Sequence, residues 1–276
     1  MMRSLWTAAS GMRAQQVNVD TIANNVANIN TIGYKSQQAS FKSLLYQNLQ
    51  STSTNNAGEN KPVAAEVGLG SRVAAITSTF TQGNLTHVEN PFSVALEGDG
   101  FFQIRTESGE LQYTRDGSFE ISPVANGNML CTSDGNPVLD AYGNVIVLPS
   151  NRVATDLVVN QDGTLAFPDA SGNPAVLTDA NGRPVKFGIY QFNNPAGLSK
   201  EGSNNYSVTV ASGAAVAENG NAAVKQTKTH QYYTEASNVD VANEMVNLIV
   251  AQRAYEMNSK AIQASDEMMQ QANALR

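Results

Sequence analysis

The sequence is poor in charge, and basic residues are the scarcer sign. Only 15% of its 276 residues are charged, and 17 Lys and Arg stand against 24 Asp and Glu, for a net charge of −7. Soluble proteins on average carry about 25% charged residues. Because no cluster of Lys or Arg occurs in the chain, the sequence predicts no binding to nucleic acid or to anionic lipid.

Cysteine and long apolar runs are scarce too. Cys131 is the single cysteine, which excludes an intrachain disulfide and fits a reducing compartment or an extracytoplasmic protein held by packing alone. No apolar run reaches the roughly 18 residues of a membrane helix. The start, MMRSLWTAASGMRAQQ, lacks the apolar core of about 7–15 residues that a signal peptide needs. We therefore predict no membrane insertion and no cleaved signal peptide.

Motifs for catalysis and for metal or cofactor binding are missing as well. The two histidines, His87 and His230, have no HExxH spacing and no cysteine partner. GLGSRV at 68–73 lacks the third glycine of a dinucleotide loop. The carboxylates of EGDGFF at 97–102 are better explained by a Gly-Asp-Gly turn than by a glycosidase pair. The sequence predicts no enzyme, no cofactor and no metal; a carbohydrate-acting enzyme that uses Asp99 is the distant alternative.

What is present begins with a heptad pattern in the first thirty residues. Apolar residues recur in two interleaved series with alternating spacings of three and four, and only one member is polar. The series are Leu5, Met12, Val19 and Val26, and Ala8, Gln15, Ile22 and Ile29. This pattern predicts a helix with a coiled-coil-like seam. We expect it to end near Asn30, because Gly33 supplies a C-terminal stop.

The C-terminus carries a second heptad pattern. Its apolar series recurs every seven residues, with Met245 beside it: Val241, Leu248, Tyr255, Ile262 and Met269. No Gly or Pro interrupts residues 238–276. Ser237, followed by Asp240, gives a plausible capped start. A second long helix is therefore predicted.

Between the helices the pattern is that of β-structure. Short alternating runs are separated by turn dipeptides such as Asp116-Gly117, Asp134-Gly135 and Asp162-Gly163, which is typical of antiparallel hairpins. The predicted fold class is α+β. A terminal helical assembly domain comprises 1–33 and 237–276, an extended connector spans 34–80 with a polar loop at 51–60, and an inserted antiparallel all-β domain spans 81–236.

The outward side of the first helix is neutral. It carries amides, among them Asn24, Asn25 and Asn28, where a water-exposed helix usually carries Lys and Glu. Amides can be buried with hydrogen bonds at far lower desolvation cost than ions. We therefore expect this side to contact other copies of the chain. Contacts between different surfaces propagate into rings or open helical arrays.

Both ends of the chain resemble those of the bacterial flagellar rod and hook proteins. The N-terminal stretch is SLWTAASGMRAQQVNVDTIANNVANINTIGYK, and the C-terminal one is EASNVDVANEMVNLIVAQRAYEMNSKAIQASDEMM. Between them VGLGSRV, TQGNLT, NPFSVALEGDGFFQI, QYTRDGSF and NPAGL are similar to the rod members. The resemblance covers nearly the whole chain.

The resemblance implies a non-enzymatic structural subunit of the flagellar basal body, which stacks helically to form the distal part of the drive shaft. It also implies export through the flagellar type III apparatus to a position outside the cytoplasmic membrane. The implied neighbours are proximal rod subunits, hook protein and, where an outer membrane exists, surrounding ring proteins. Residues 44–72 correspond to the segment that in the family helps to separate a stiff rod from a bendable hook.

Self-assembly is expected to depend on the seams and the amides. The predicted residues are Leu5, Ala8, Met12, Val19, Ile22, Asn24, Asn25, Val26, Asn28, Ile29, Val241, Met245, Leu248, Tyr255, Ile262 and Met269. A proximal rod subunit or a hook subunit is the alternative within the family. Outside it, a secreted adhesin with a coiled-coil stalk is the distant alternative.

Overall fold

The computed structural model describes residues 2–50, 65–124, 127–150, 152–168, 174–179, 182–221 and 224–274. The polar loop predicted at 51–60 lies outside these residues. The chain forms two compact units. We call Met1–Ala27, Gln37–Ser78 and Asp240–Arg276 the helical unit, and Asn28–Ser36 with Thr79–Val239 the β unit.

Two long helices dominate the helical unit. α1 spans Met2–Ala27 and α2 spans Val241–Ala274, which confirms a helix at each end of an α+β chain. α1 ends three residues before the predicted Asn30, because residues 28–30 form a turn. Asp240 caps α2, since its Oδ1 accepts the backbone N–H of Ala242 at 2.9 Å. The predicted start at Ser237 is therefore three residues early.

A ribbon of four strands completes the helical unit. β1 (Gln37–Ser43) pairs with β4 (Ser71–Ser78), and β2 (Tyr46–Gln50) pairs with β3 (Ala65–Gly68), both antiparallel. The segment expected as an extended connector, 34–80, thus contains paired strands. β1 and β4 contact α1. At this contact the Ser10 hydroxyl accepts the backbone N–H of Ser71 at 3.3 Å.

The β unit is a set of small antiparallel sheets, which confirms the predicted antiparallel β-structure. Among the residues that the structure describes in this unit, one sheet has six strands, two have three, and two have two. The strands are β5 (Leu85–His87), β6 (Val94–Glu97), β7 (Phe101–Arg105), β8 (Leu111–Thr114), β9 (Glu120–Val124), β10 (Gly127–Cys131), β11 (Val147–Leu148), β12 (Val158–Val159), β13 (Leu165–Pro168), β14 (Pro174–Val176), β15 (Ile189–Gln191), β16 (Ser199–Gly202), β17 (Asn205–Ser207), β18 (Val216–Ala217), β19 (Lys228–Gln231) and β20 (Tyr233–Glu235). In the six-stranded sheet the order is β16-β17-β8-β7-β15-β18, and the smaller sheets are β11-β10-β9, β12-β13-β14, β19-β6 and β20-β5.

Strand β7 divides the core of the β unit in two. Successive side chains of a strand point to opposite faces, so Phe101 enters one apolar cluster while Phe102 and Ile104 enter the other. Phe102 packs edge-to-face on Phe119 with ring centroids 5.0 Å apart, and Phe101 does so on Phe192 at 5.4 Å. Such aromatic pairs add about 0.5–1.5 kcal/mol to burial.

A buried ion cluster ties distant segments of the β unit together. The Glu235 carboxylate lies 2.6 Å from Lys35 Nζ and 3.2 Å from Arg115 NH1, and all three side chains are almost fully buried. Lys35 Nζ also donates to Thr81 O at 2.8 Å, and Arg115 NH2 donates to Gly98 O at 2.6 Å. Burial lowers the pKa of Lys35 below its ordinary value, and the attraction of Glu235 opposes that shift. One carboxylate therefore holds two buried cations.

Replacing this carboxylate should destabilise the β unit strongly. Glu235→Gln leaves Lys35 and Arg115 buried without a counter-charge, and breaking a buried pair costs about 3–5 kcal/mol. The decrease in the free energy of unfolding can be measured by urea unfolding with tyrosine circular dichroism. This decrease should become smaller as the pH rises toward 10.5, the ordinary lysine pKa. Over that range Lys35 loses its proton in the folded variant while the unfolded chain keeps it.

Glu97→Gln is the matched control for this experiment. Glu97 is exposed and lies 2.7 Å from His230 Nε2 on the surface of the same unit. Exposed pairs contribute little to stability, so this variant should unfold like the parent protein at neutral pH. Equal stabilities of Glu235→Gln and Glu97→Gln would show that the buried cluster does not stabilise the fold.

Candidate assembly surface

The two terminal helices run antiparallel and meet at intervals of seven and fourteen residues. Ser4 Oγ lies 3.4 Å from Ser265 Oγ, and Asn25 Nδ2 donates to Glu244 Oε1 at 3.0 Å. Between these contacts Gly11 faces Asn258, so closely that an added Cβ would lie 2.9 Å from Asn258 Nδ2. Seven residues are close to two helical turns. The contacting residues are small or polar, which lets the two backbones approach closely.

The predicted seam of α1 is only partly buried in the helical unit. Ala8 and Ile22 are buried. Four further members are half-buried, namely Leu5, Met12, Val19 and Val26. Ile29 is half-buried too, but it follows the end of α1 and belongs to the β unit. The contribution of these residues to assembly, and coiled-coil packing of the helices, remain predictions.

The predicted seam of α2 divides between covered and exposed residues. Leu248, Ile262 and Met269 are half-buried, while Val241, Met245 and Tyr255 are exposed. The most buried residues of α2 are the small Ala251 and Ser265, which stand outside the predicted heptad series. The side of α2 that faces α1 is therefore less apolar than its sequence periodicity suggests.

The three predicted amides have different surroundings. Asn25 is 1% exposed, and its side chain bridges α1 to β1, because it donates to Gln37 O and accepts from Gln37 N, each at 2.8 Å. Asn24 is exposed on α1. Asn28 lies in the turn after α1, where its Oδ1 accepts from Thr31 Oγ1 at 3.2 Å. Asn25 thus already uses its amide inside the chain, and contact of all three with other copies remains a prediction.

An exposed apolar stripe runs along α2, on a different side from the buried Ala251. Its spacing of four, seven and eleven residues places the members on one side of a helix. They are Val246, Val250, Met257 and Met268, exposed by 59%, 62%, 66% and 50%. None of these four residues belongs to the predicted assembly set. The signal for the stripe was the run Val246, Leu248, Ile249 and Val250, which makes the helix apolar all round.

The ribbon exposes a second apolar set in the helical unit. Leu45 and Leu49 stand in or beside β2, and Leu45 is 83% exposed. Tyr46 and Ile76 are exposed on the paired strands as well. Large exposed apolar side chains that lie close together can mark interaction sites. The described part of 44–72 therefore offers side chains that another protein surface could cover.

A groove opens between α1 and α2. It has a volume of about 410 Å³ and is lined by Gln16 and Val19 of α1 and by Gln252, Tyr255 and Glu256 of α2. Val19 and Tyr255 provide apolar walls, and the other three side chains provide polar atoms. Glu256 Oε2 accepts from Arg253 NH1 at 2.9 Å in an exposed ion pair.

The remaining chemical candidates are surface features. His230 pairs with Glu97 at 2.7 Å, and the ring of His87 packs against Tyr233. Among the residues that the structure describes, no group of three or more His, Cys, Asp or Glu could hold a metal ion. Neither described helix combines the length and hydropathy that a membrane crossing requires.

Comparison with known proteins finds flagellar relatives along the chain. The family model "Flagella basal body rod protein" matches residues 5–35, "Flagellar hook protein FlgE/F/G D1 domain" matches 95–167, and "Flagellar basal body rod FlgEFG protein C-terminal" matches 230–275. The chain is 43% identical to "Flagellar basal-body rod protein FlgG" of Borreliella burgdorferi over 100% of this chain and 99% of that one. The proteins of the same name in Agrobacterium fabrum and Caulobacter vibrioides are 41% and 38% identical, over 97% and 100% of both chains.

The helix pair should not tolerate a charge at Ile22. Ile22→Asp buries a carboxylate without a partner, which costs several kcal/mol, so α1 and α2 amides should exchange hydrogen at least about tenfold faster. Ala23→Asp places the same charge on the exposed next residue and should exchange like the parent chain. Similar exchange rates in both variants would contradict the inward position of Ile22.

Proposed function

We propose a mechanical role for this chain, which belongs to the family of the flagellar basal-body rod protein FlgG and is a structural subunit of the flagellar basal-body rod. Its copies assemble helically into the distal rod, the stiff shaft that transmits motor torque to the hook. The protein acts through its contacts and carries out no reaction. The relatives do not favour the proximal rod, hook or adhesin alternatives.

The exposed stripe of α2 carries this proposal. α1 packs on one side of α2, and the stripe is on another side. Pairing with α1 therefore leaves the stripe uncovered, namely Val246, Val250, Met257 and Met268. Burial of apolar surface stabilises association by about 25 cal/mol per Å². A neighbouring copy can supply the cover. Because the stripe would meet a different surface of that neighbour, the contact is heterologous and propagates as an open helix.

Stiffness requires that each copy be held on several sides. The stripe of α2 and the exposed apolar side chains of the ribbon belong to different elements of the helical unit. We assign the ribbon, which includes the described part of 44–72, to contacts that keep the rod straight. Its exposed Leu45, Tyr46 and Leu49 would be covered by neighbouring copies in the shaft.

The family relationship also supports a location and a set of neighbours. The proposed position is the periplasmic rod, reached through the flagellar type III export apparatus without a cleaved signal peptide. The proposed neighbours are proximal rod subunits below and hook protein above, with ring proteins around the shaft where an outer membrane exists. Labelling the chain in purified basal bodies tests this position. Label confined to the hook would overturn it.

A charge on the stripe should abolish assembly and leave the subunit folded. Val250→Asp adds a carboxylate at an exposed position, so the free chain tolerates it, whereas burial against a neighbour would cost several kcal/mol. We expect parent-like circular dichroism, no polymers by sedimentation and electron microscopy, and no swimming. Val210→Asp is the matched control, because Val210 is fully exposed in the β unit. Normal rods from Val250→Asp would refute the role of the stripe.

A further inference from the structure

Trp6 is placed where a protein seldom leaves a tryptophan. It is the only tryptophan of the chain, it lies in the second turn of α1, and it is 73% exposed. Tryptophan is among the residues that contribute most to protein interfaces, where it fills pockets near the centre. An exposed indole on a helix of an assembling subunit therefore points to a pocket on another molecule.

The groove between α1 and α2 has the features of such a pocket. Its volume of about 410 Å³ and its walls from Val19 and Tyr255 suit an aromatic ring. The polar atoms of Gln252 and Glu256 at the groove can accept the indole N–H, which needs a partner when it is buried. The groove is therefore large enough for the indole and matches its polarity.

Trp6 cannot fill the groove of its own chain. The groove residues of α1, Gln16 and Val19, follow Trp6 by ten and thirteen residues, which is roughly 15–20 Å along a helix. Side chains of a helix also point toward its N-terminus, so the indole projects away from the groove. Only the groove of a second copy is within reach.

Charge favours the same pairing. Arg3 lies three residues before Trp6 and is exposed on the neighbouring part of the helix surface. The first turn of α1 contains no acidic residue, although the N-terminus of a helix attracts negative charge. Glu256 stands at the groove, and its ion pair with Arg253 is exposed, so its carboxylate can take a second cation. The groove thus supplies the negative charge that the start of α1 lacks.

We infer that Trp6 of one copy occupies the α1–α2 groove of a second copy, with Arg3 beside Glu256 of that copy. This inference rests on the proposed function and names one of its contacts. The contact is heterologous, because Trp6 and the groove are different parts of the surface. Each copy offers one indole and one groove, so the contact repeats from copy to copy. With parallel helices it would offset successive copies by about 15–20 Å along α1.

Disulfide trapping tests the contact while Trp6 stays in place. The full chain with Cys131→Ser carries Arg3→Cys and Glu256→Cys, two exposed positions. Within one chain these residues are too far apart for a disulfide, which needs Cα atoms within about 7 Å. Oxidation should therefore produce a ladder of covalent multimers. The control pair is Arg3→Cys with Asn247→Cys, which is exposed on α2 but nine residues from the groove position, and it should stay monomeric.

The single tryptophan reports on the same event. Trp6 emission should shift to shorter wavelength when the parent chain polymerises, and Trp6→Ala should raise the concentration needed for polymers at least about 30-fold, as loss of a main interface residue does. Trp6→Phe keeps an aromatic ring and should polymerise at a concentration close to that of the parent chain.

The outcomes separate this contact from helical assembly in general. Multimers specific to the Arg3–Glu256 pair support the groove contact, and if they form without polymers the proposed helical assembly fails while the contact stands. Polymers without these multimers, or with equal multimers from the control pair, overturn the groove contact and leave the proposed function intact. If neither multimers nor polymers form, both the groove contact and the proposed helical assembly are overturned.

Discussion

An antiparallel pair of helices can cover only one side of each helix, and this limit governs the helical unit. α1 and α2 meet through small and polar residues, from Ser4 with Ser265 to Asn25 with Glu244. Val246, Val250 and Met257 of α2 are left exposed on another side of that helix. Within the described residues, the helical unit has no third helix that could bury them. The same feature that allows the helices to approach closely therefore leaves apolar surface on α2 for the proposed contacts with neighbouring copies.

The β unit depends on a different constraint, the cost of burying charge. The Glu235 carboxylate forms ion pairs with two buried cations, and it belongs to the last strand before α2. Its backbone oxygen also accepts from Gly33 N at 2.8 Å, and Asn238 Oδ1 accepts from Ser36 N at 2.7 Å. The segment after α1 is thus held against the segment before α2. The β unit is therefore completed by two segments that are about 200 residues apart in the sequence.

Features of the fold that depend on residues close together in the sequence could be predicted, and those that depend on remote residues could not. The two helices and the antiparallel strands are set by local periodicity and turn dipeptides, so the sequence predicts them with errors of three residues at Ala27 and Val241. The ribbon was not predicted, because QQASFKS of β1 shows no clear alternation and its strands are mostly exposed. The bridge from Asn25 to Gln37 and Glu244 and the cluster of Lys35, Arg115 and Glu235 join residues remote in sequence, and one sequence carries no signal for such pairing.

Low charge links these features to a mechanical role. α1 has only Arg3, Arg13 and Asp20 as charged residues, so most of its surface can be buried without the penalty of desolvating ions. The side chains of Ser4 and Asn25 show within the chain how a hydroxyl and an amide form hydrogen bonds across a helix contact. A helix surface built this way is poorly suited to water but suited to dense packing on several sides. Dense packing resists deformation, because close-packed interiors have low compressibility, and a torque-bearing shaft requires that resistance.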